Sequence, residues 1–206
     1  MSVGALEALE RLQIGNRRFV EGHQTNAGIT REELEASARG QTPFAIVVGC
    51  SDSRVPAELI FDQGVGDLFV VRVAGNIVAP SQIGSVEFAA AQFGTELVVV
   101  LGHSHCGAVA ATVDHLLQPE GEFSPGLQSI VDRVQSAVED LVGGELASDR
   151  EALVRAGIRA NVQRSVEQLR KGSDILESFI AKDRLHVVGA EYSLNTGIVE
   201  FFEGIG

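Results

Sequence analysis

A cysteine, an aspartate and an arginine stand at alternate positions where an apolar segment ends. The stretch FAIVVGCSDSRVP, residues 44–56, leads into Cys50, and Asp52 and Arg54 follow it. A thiolate binds metals or attacks electrophiles, and a guanidinium keeps a neighbouring carboxylate ionised and able to accept hydrogen bonds. Taken alone, Asp52 and Arg54 are more typical of a loop ion pair, or the aspartate of a helix cap. Beside a cysteine they indicate a reactive site.

A second group of ligand-forming residues lies in LGHSHCGA, residues 101–108. His103 and Cys106 are separated by two residues, so both side chains can converge on one ion at a strand-to-helix turn. Together with Cys50 they offer two thiolates and one imidazole, which leaves the fourth position of a tetrahedral zinc ion open. A structural zinc site uses four protein ligands, and the chain has only two cysteines. The pattern therefore favours a catalytic zinc site, although each residue alone is also typical of a protein core.

The charges of this ligand set explain why the carboxylate and the guanidinium stand nearby. Two thiolates neutralise the charge of zinc, so water on the ion is acidified less than in a three-histidine site. Asp52 can accept a hydrogen bond from a zinc-bound hydroxide, and Arg54 can hold Asp52 ionised and oriented. A remaining ligand would be water, another histidine or a carboxylate such as Asp52.

A phosphate-binding cradle is the main alternative chemistry for Cys50 and Arg54. Cysteine-dependent phosphatases need a longer spacing between the nucleophile and the arginine than the three residues found here. No arginine follows Cys106 at the required distance either. The spacing therefore excludes a cysteine-dependent phosphatase.

Hydrophobic periodicity predicts the elements that must position these residues. Three apolar segments, typical of strands covered on both faces in a parallel sheet, span residues 44–50, 67–75 and 96–103. Between the second and third, SQIGSVEFAAAQFG predicts a crossover helix that ends at Gly94. Cys50 and His103 then lie at carboxyl ends of strands, where open α/β sheets bind ligands.

The remaining segments predict helices and a closing hairpin. Helical spacing marks ALEALERLQIGNRRFVEG, CGAVAATVDHLL and the stretches at about 126–142 and 148–171. Capping boxes at Thr30–Glu33 and Ser148–Glu151 predict two helix starts. The segment RLHVVGAEYSLNTGIVEFF predicts two strands joined by a turn at 195–197. We expect an α/β fold with a central, mostly parallel sheet, an antiparallel edge strand, flanking helices and an N-terminal helical extension.

Composition narrows the class of protein further. The chain has 206 residues and a formal net charge of −12, which argues against nucleic acid or an anionic membrane as the main partner. No apolar run approaches the roughly 20 residues that span a bilayer. The first residues contain glutamates and no continuous apolar core of a secretory signal, so a cytoplasmic location is expected.

The two motifs together are similar to those of the β-class carbonic anhydrases. The segments that carry the resemblance are Cys50-Ser-Asp-Ser-Arg54, His103-Ser-His-Cys106-Gly107, GNRRF at 15–19 and DLFVVRVAGN at 67–76. The resemblance implies one zinc ion held by Cys50, His103 and Cys106, and a catalytic dyad of Asp52 and Arg54. The implied reaction is reversible hydration of carbon dioxide to bicarbonate and a proton by attack of zinc-bound hydroxide.

The resemblance also implies a substrate pocket. Its positions are occupied here by Gln41, Phe69, Ala74, Phe88 and Gly107. Gln41 would donate to a substrate oxygen, and the backbone nitrogen beside Cys106 would help to hold an anion. Phe88 stands where family members often have tyrosine, so a hydroxyl contact is lost.

Regulation in the family uses a closed state in which the aspartate becomes the fourth zinc ligand. Asp52 would fill that role. In one subgroup bicarbonate stabilises the closed state through a tryptophan, an arginine and a tyrosine. Arg72 matches the arginine, but Val47 occupies the tryptophan position, so we predict no such bicarbonate site. His105 is a candidate proton shuttle.

The resemblance implies one domain over residues 1–206, with a helical arm at 1–40 and an α/β core at 41–206. It also implies a homodimer or homotetramer in which the N-terminal helices pack on the partner. Three alternative functions stay open at this point. They are hydrolysis of carbonyl sulfide or carbon disulfide on the same zinc site, a non-catalytic zinc- or bicarbonate-sensing module, and a thiol redox switch formed by Cys50 and Cys106.

Overall fold

Five strands form one sheet in the order β2-β1-β3-β4-β5 in the computed structural model, which describes residues 3–26, 28–119, 121 and 123–204. The strands are β1 (Ala45–Cys50), β2 (Leu68–Val73), β3 (Leu97–His103), β4 (His186–Tyr192) and β5 (Val199–Glu203). The first four are parallel to their neighbours, and β5 pairs antiparallel to β4. Strands β1 and β3 are buried along their whole length. The predicted mostly parallel sheet with an antiparallel edge is confirmed.

Helices cover both faces of this sheet. They are α1 (Ala5–Glu21), α2 (Arg31–Ser37), α3 (Ala57–Ile60), α4 (Pro80–Phe93), α5 (Gly107–Leu117), α6 (Pro125–Val142), α7 (Arg150–Lys171) and α8 (Asp174–Ala181). Helices α1 and α3 pack on one face, and α4, α7 and α8 pack on the other. A third apolar cluster joins α5, α6 and α7 to the end of β1. No helix within the described residues is long and apolar enough to cross a membrane.

One local prediction about the helices needs correction, and two helices were missed. The capping box predicted at Ser148–Glu151 is wrong, because Ser148 ends a short 3-10 turn and Asp149 caps α7 by accepting from Ala152 N at 3.0 Å. The Thr30 capping box of α2 is confirmed. Helices α3 and α8 were not predicted, since four and eight residues are too few for a clear helical period.

Two residues of the GNRRF segment fasten α1 to its own chain. A Cβ on Gly15 would lie 1.8 Å from the Phe61 carbonyl oxygen, so only glycine permits this close approach. The buried side chain of Asn16 bonds the backbone of Ile60, Gly197 and Val199 at 2.9–3.1 Å. Helix α1 therefore packs on the sheet of the same chain, and its outer surface leaves Leu6, Ile14 and Val20 exposed.

A buried carboxylate ties the loop after α1 to the end of α3. Asp62 accepts hydrogen bonds from the guanidinium of Arg18, from the backbone and hydroxyl of Thr25 and from the backbone of Asn26. Burial opposes ionisation, but the Asn26 backbone, Arg18 and Thr25 outweigh it, so the pKa of Asp62 lies well below its usual value. The carboxylate is thus held charged in a site that is 2% exposed.

We expect Asp62→Asn to destabilise the fold by about 2 kcal/mol or more, because an amide cannot accept all of these hydrogen bonds and leaves Arg18 half-buried without its charge partner. A carboxyl with a depressed pKa contributes its stability above the ordinary aspartate pKa and loses it as the pH falls below that value. The free energy of unfolding of the variant should therefore fall less steeply with decreasing pH than that of the wild type. Urea denaturation across the acid range measures both effects.

The matched control for Asp62→Asn is Asp114→Asn. Asp114 is paired with Arg150, but both side chains are about half exposed to solvent. Surface ion pairs contribute about 0–1 kcal/mol, so this control should unfold almost as the wild type does. Equal stability losses in the two variants would contradict the role assigned to Asp62.

Candidate metal centre

Three predicted ligands meet at the carboxyl edge of the sheet. Cys50 ends β1 and His103 ends β3, and these parallel neighbours end at the same edge of the sheet, since Gly49 is paired with Leu101. Cys106 follows after one turn and occupies the N-cap position of α5. The ligand atoms of the three residues all lie within 4.8 Å of one another, and all three residues are buried. The structure thus brings together the set that spacing alone had indicated.

The imidazole of His103 is oriented for metal binding. Its Nδ1 lies 2.9 Å from the carbonyl oxygen of Ser104. A carbonyl only accepts, so Nδ1 carries the proton and Nε2 keeps its lone pair. Within the described part of the chain, Nε2 is buried and has no hydrogen-bond partner. A buried polar atom without a partner requires an explanation, and a cation between His103 and the two sulfurs provides one.

The two thiols interact so closely that they compete for one proton. A hydrogen bond from Cys106 lowers the pKa of Cys50 to about 4, and the His103 side chain and the Gly75 backbone act in the same direction. The same contact with Cys50, together with burial, raises the pKa of Cys106. Both sulfurs can be ionised together only if a cation compensates their charge. Two thiolates and one neutral imidazole fit zinc in charge and in chemistry.

Asp52 and Arg54 form a bidentate pair beside the ligands. Arg54 Nε donates to Asp52 Oδ1 at 2.9 Å, and Nη2 donates to Oδ2 at 2.8 Å. The Arg54 side chain and backbone N–H hold the pKa of Asp52 well below its usual range. Both carboxylate oxygens of Asp52 bond Arg54, and among the described residues Asp52 is not a member of the ligand group formed by Cys50, His103 and Cys106. The structure thus pairs the two residues that were predicted as a catalytic dyad, and their catalytic role stays a prediction.

Arg72 holds the backbone that links Cys50, a predicted metal ligand, to Asp52 of the predicted dyad. Its Nε donates to the carbonyl of Cys50 at 3.0 Å, and its Nη2 donates to the carbonyl of Asp52 at 2.7 Å. Sequence reasoning considered Arg72 only as part of a bicarbonate site and missed this role. Because register places Arg72 opposite Gly49, a parallel pairing of β1 and β2 could have indicated the contact.

Two of the five predicted pocket residues lie at the metal centre. Ala74 directly follows Val73, which is the register partner of Cys50. Gly107 is exposed and follows Cys106 as the first residue of α5. His105, next to them, is exposed and has a φ of 57°, and its carbonyl lies 3.5 Å from Arg54 Nη2.

The other three predicted pocket residues lie toward the opposite end of the sheet. Phe69 is paired with Ile46, four positions before the Cys50 level, which corresponds to about 13 Å along a strand. Gln41 precedes β1 and is exposed. Within one chain, the structure therefore does not bring Gln41, Phe69 or Phe88 to the metal ligands.

Phe88 belongs to an aromatic cluster that is open to solvent. Its ring centroid lies 6.2 Å from that of Phe69 and 5.6 Å from that of Phe93. Although it contacts two rings, Phe88 is 54% exposed. Large apolar side chains that remain this exposed often mark a contact surface when they cluster.

This chain is similar to known proteins in sequence and in fold. A family model described as carbonic anhydrase matches residues 45–199. The chain is 38% identical over 200 residues to a carbonic anhydrase of Mycolicibacterium smegmatis, with 97% of this chain and 94% of the relative covered. It resembles the solved β-carbonic anhydrase CafA of Aspergillus fumigatus, with a TM-score of 0.75, 25% identity and coverage of 97% and 90%.

A further similar solved structure is described as tetrameric. It describes two tetrameric β-carbonic anhydrases from Sordaria macrospora, and this chain matches it with a TM-score of 0.73, 26% identity and coverage of 88% and 89%. The range matched by the family model contains Cys50, His103 and Cys106.

Proposed function

Because this chain belongs to the carbonic anhydrase family, we propose that it catalyses the reversible hydration of carbon dioxide to bicarbonate and a proton, with one zinc ion per chain. The observation that carries the proposal is the buried, unpartnered Nε2 of His103 among the described residues, grouped with two cysteine sulfurs beside a bidentate carboxylate–guanidinium pair. A purely structural metal would not need the pair. Cys50, His103 and Cys106 would hold the zinc ion, which would act as a Lewis acid that makes a water molecule nucleophilic near neutral pH.

The dyad orients the attacking oxygen. Asp52 stays ionised because Arg54 bonds both of its oxygens, so its remaining lone pairs can only accept. The attacking oxygen would donate a hydrogen bond to Asp52, and this contact would turn an oxygen lone pair toward the carbon of carbon dioxide. The backbone N–H of Gly107, in the first turn of α5, can donate to a bicarbonate oxygen as negative charge develops there.

A second copy of the chain completes the substrate pocket. Gln41, Phe69 and Phe88 lie too far from the ligands of their own chain, while Phe88 remains exposed. If two copies pack so that these residues reach the partner's metal centre, each copy completes the other's site. The tetrameric relatives from Sordaria macrospora support a homodimer or homotetramer here. The exposed face of α1 would pack on the partner.

The proposal also covers how the chain is divided into an arm and a core and in which compartment it works. Residues 1–206 form one domain, with residues 1–40 as the arm and 41–206 as the core. Two unpaired cysteines that must remain thiolates suit a reducing compartment such as the cytoplasm.

The test is stopped-flow hydration of carbon dioxide, normalised to bound zinc, at about pH 7 and about pH 8.5. We expect zinc-dependent hydration at both values, because the pKa of Asp52 is depressed and protonation does not remove this acceptor near neutral pH. Zinc-loaded protein that is inactive at both values would contradict the proposal, and hydrolysis of carbonyl sulfide would then be measured. Protein that retains no zinc after mild dialysis would instead favour a thiol switch.

A further inference from the structure

A short turn after β2 places a backbone donor on a metal ligand. The 3-10 turn Ala74–Asn76 directs the N–H of Gly75 to the sulfur of Cys50, with a nitrogen–sulfur distance of 3.3 Å. Gly75 and Asn76 both adopt left-handed conformations, with φ of 71° and 42°. Asparagine tolerates a positive φ better than most residues with a side chain, but the conformation still costs free energy relative to the right-handed region, so other contacts help to hold the turn in place.

Helix α7 provides those contacts, although it contributes no metal ligand. Asn161 Nδ2 donates to the carbonyl oxygen of Gly75 at 2.7 Å, and Ser165 Oγ donates to that of Asn76 at 3.1 Å. Asn161 is 2% exposed and Ser165 is 1% exposed. Their spacing of four residues puts both side chains on one face of α7, so the helix bonds two successive carbonyls of the turn.

We propose that Asn161 is a positioning residue of the metal centre, and that Ser165 assists it. By fixing the Gly75 carbonyl, Asn161 fixes the left-handed backbone of Gly75 and keeps its N–H on the Cys50 sulfur. A donor to a thiolate withdraws negative charge from the sulfur, so the bound ion retains more of its Lewis acidity. The donor also orients the thiolate before the metal binds. This inference rests on the zinc site of the proposed function.

The simpler reading is that Asn161 only joins α7 to the turn. Asn16 provides a direct comparison, because it is also a buried asparagine whose side chain bonds backbone groups of distant segments. Asn16 makes none of its bonds to the metal centre. If Asn161 has only a structural role, its loss should lower stability, as the loss of Asn16 should, and should leave the properties of the bound metal unchanged.

The experiment compares Asn161→Ala, Ser165→Ala and Asn16→Ala. Zinc affinity is measured by competition with a chelator, and the cobalt-substituted proteins report the sulfur-to-cobalt charge-transfer absorption. We expect Asn161→Ala to weaken zinc binding about 10–100-fold, as for other groups that orient metal ligands, and to shift the absorption band. Ser165→Ala should change both in the same direction by less. The pH midpoint of hydration should move upward in Asn161→Ala.

Asn16→Ala should lower the stability but leave zinc affinity and the absorption band unchanged. Folded Asn161→Ala with wild-type affinity and band would overturn the proposal. If Asn161→Ala does not fold, a Ser165→Ala variant with wild-type zinc affinity and absorption band would overturn the proposal. Wild-type protein that binds zinc but does not hydrate carbon dioxide would contradict only the proposed function, since affinity and absorption still report the positioning. Wild-type protein without zinc would contradict both.

Discussion

Cys106→Ser should abolish zinc binding and carbon dioxide hydration together. A serine hydroxyl does not ionise near neutral pH, and the described ligand group has three members, so no other side chain of that group replaces the lost sulfur. The loss of affinity should exceed the about 10–100-fold expected for a group that only orients a ligand. Metal content after dialysis and stopped-flow hydration measure the two losses.

The fold should survive this substitution, which makes the result interpretable. Cys106 occupies the N-cap position of α5, and serine is among the best residues at that position. Thermal unfolding and circular dichroism serve as the control for folding. Retention of one zinc per chain by folded Cys106→Ser would contradict the assignment of the ligand.

Asp52→Asn should retain zinc but lower kcat/KM about 10²–10⁴-fold, the range for loss of a side chain positioned to interact with the reacting proton. The amide cannot accept as an ionised carboxylate does, and it cannot bond both Arg54 nitrogens. The variant is measured by stopped-flow hydration at known zinc content. Asp114→Asn, which changes an exposed pair with Arg150, is the matched control and should keep full activity. Equal activities in the two variants would exclude the dyad from the reaction.

The same variant tests whether a second copy completes each site. Asp52→Asn is mixed with Gln41→Ala after reversible dissociation, and each protein alone is expected to have low activity. In a mixed dimer, the Gln41→Ala chain keeps its own dyad and receives an intact Gln41 from its partner, so one site is complete. Activity should therefore rise on mixing. A mixture that is only the average of its components would place Gln41 in the site of its own chain.

The sequence was most informative where local spacing and strand ends coincide. Consecutive apolar residues predicted β1 and β3, and parallel neighbours must place Cys50 and His103 at one edge. The interval from His103 to Cys106 then fixes the third ligand. These predictions depend only on residue spacing within each segment and on the pairing of neighbouring strands, so they do not require knowledge of how the helices pack.

The contacts by which α7 holds the turn beside Cys50 were not predictable in the same way. Asn161 lies on a helix far along the chain from Cys50, and nothing in its neighbours distinguishes it from a surface asparagine. Only the packing of α7 against the turn brings it to Gly75. The separation of Phe88 from the ligands was also missed, because a resemblance places residues in a pocket without assigning them to one chain or two.

The pairing of β1 with β3 has a thermodynamic consequence for metal supply. Backbone bonds along these strands hold Cys50 and His103 together, so the site is largely assembled by the sheet. Binding free energy is then not consumed in folding the chain, in contrast to small domains that fold only around their metal. Folded protein can therefore accumulate before it is loaded. The fraction of working molecules would follow the free metal concentration through simple mass action.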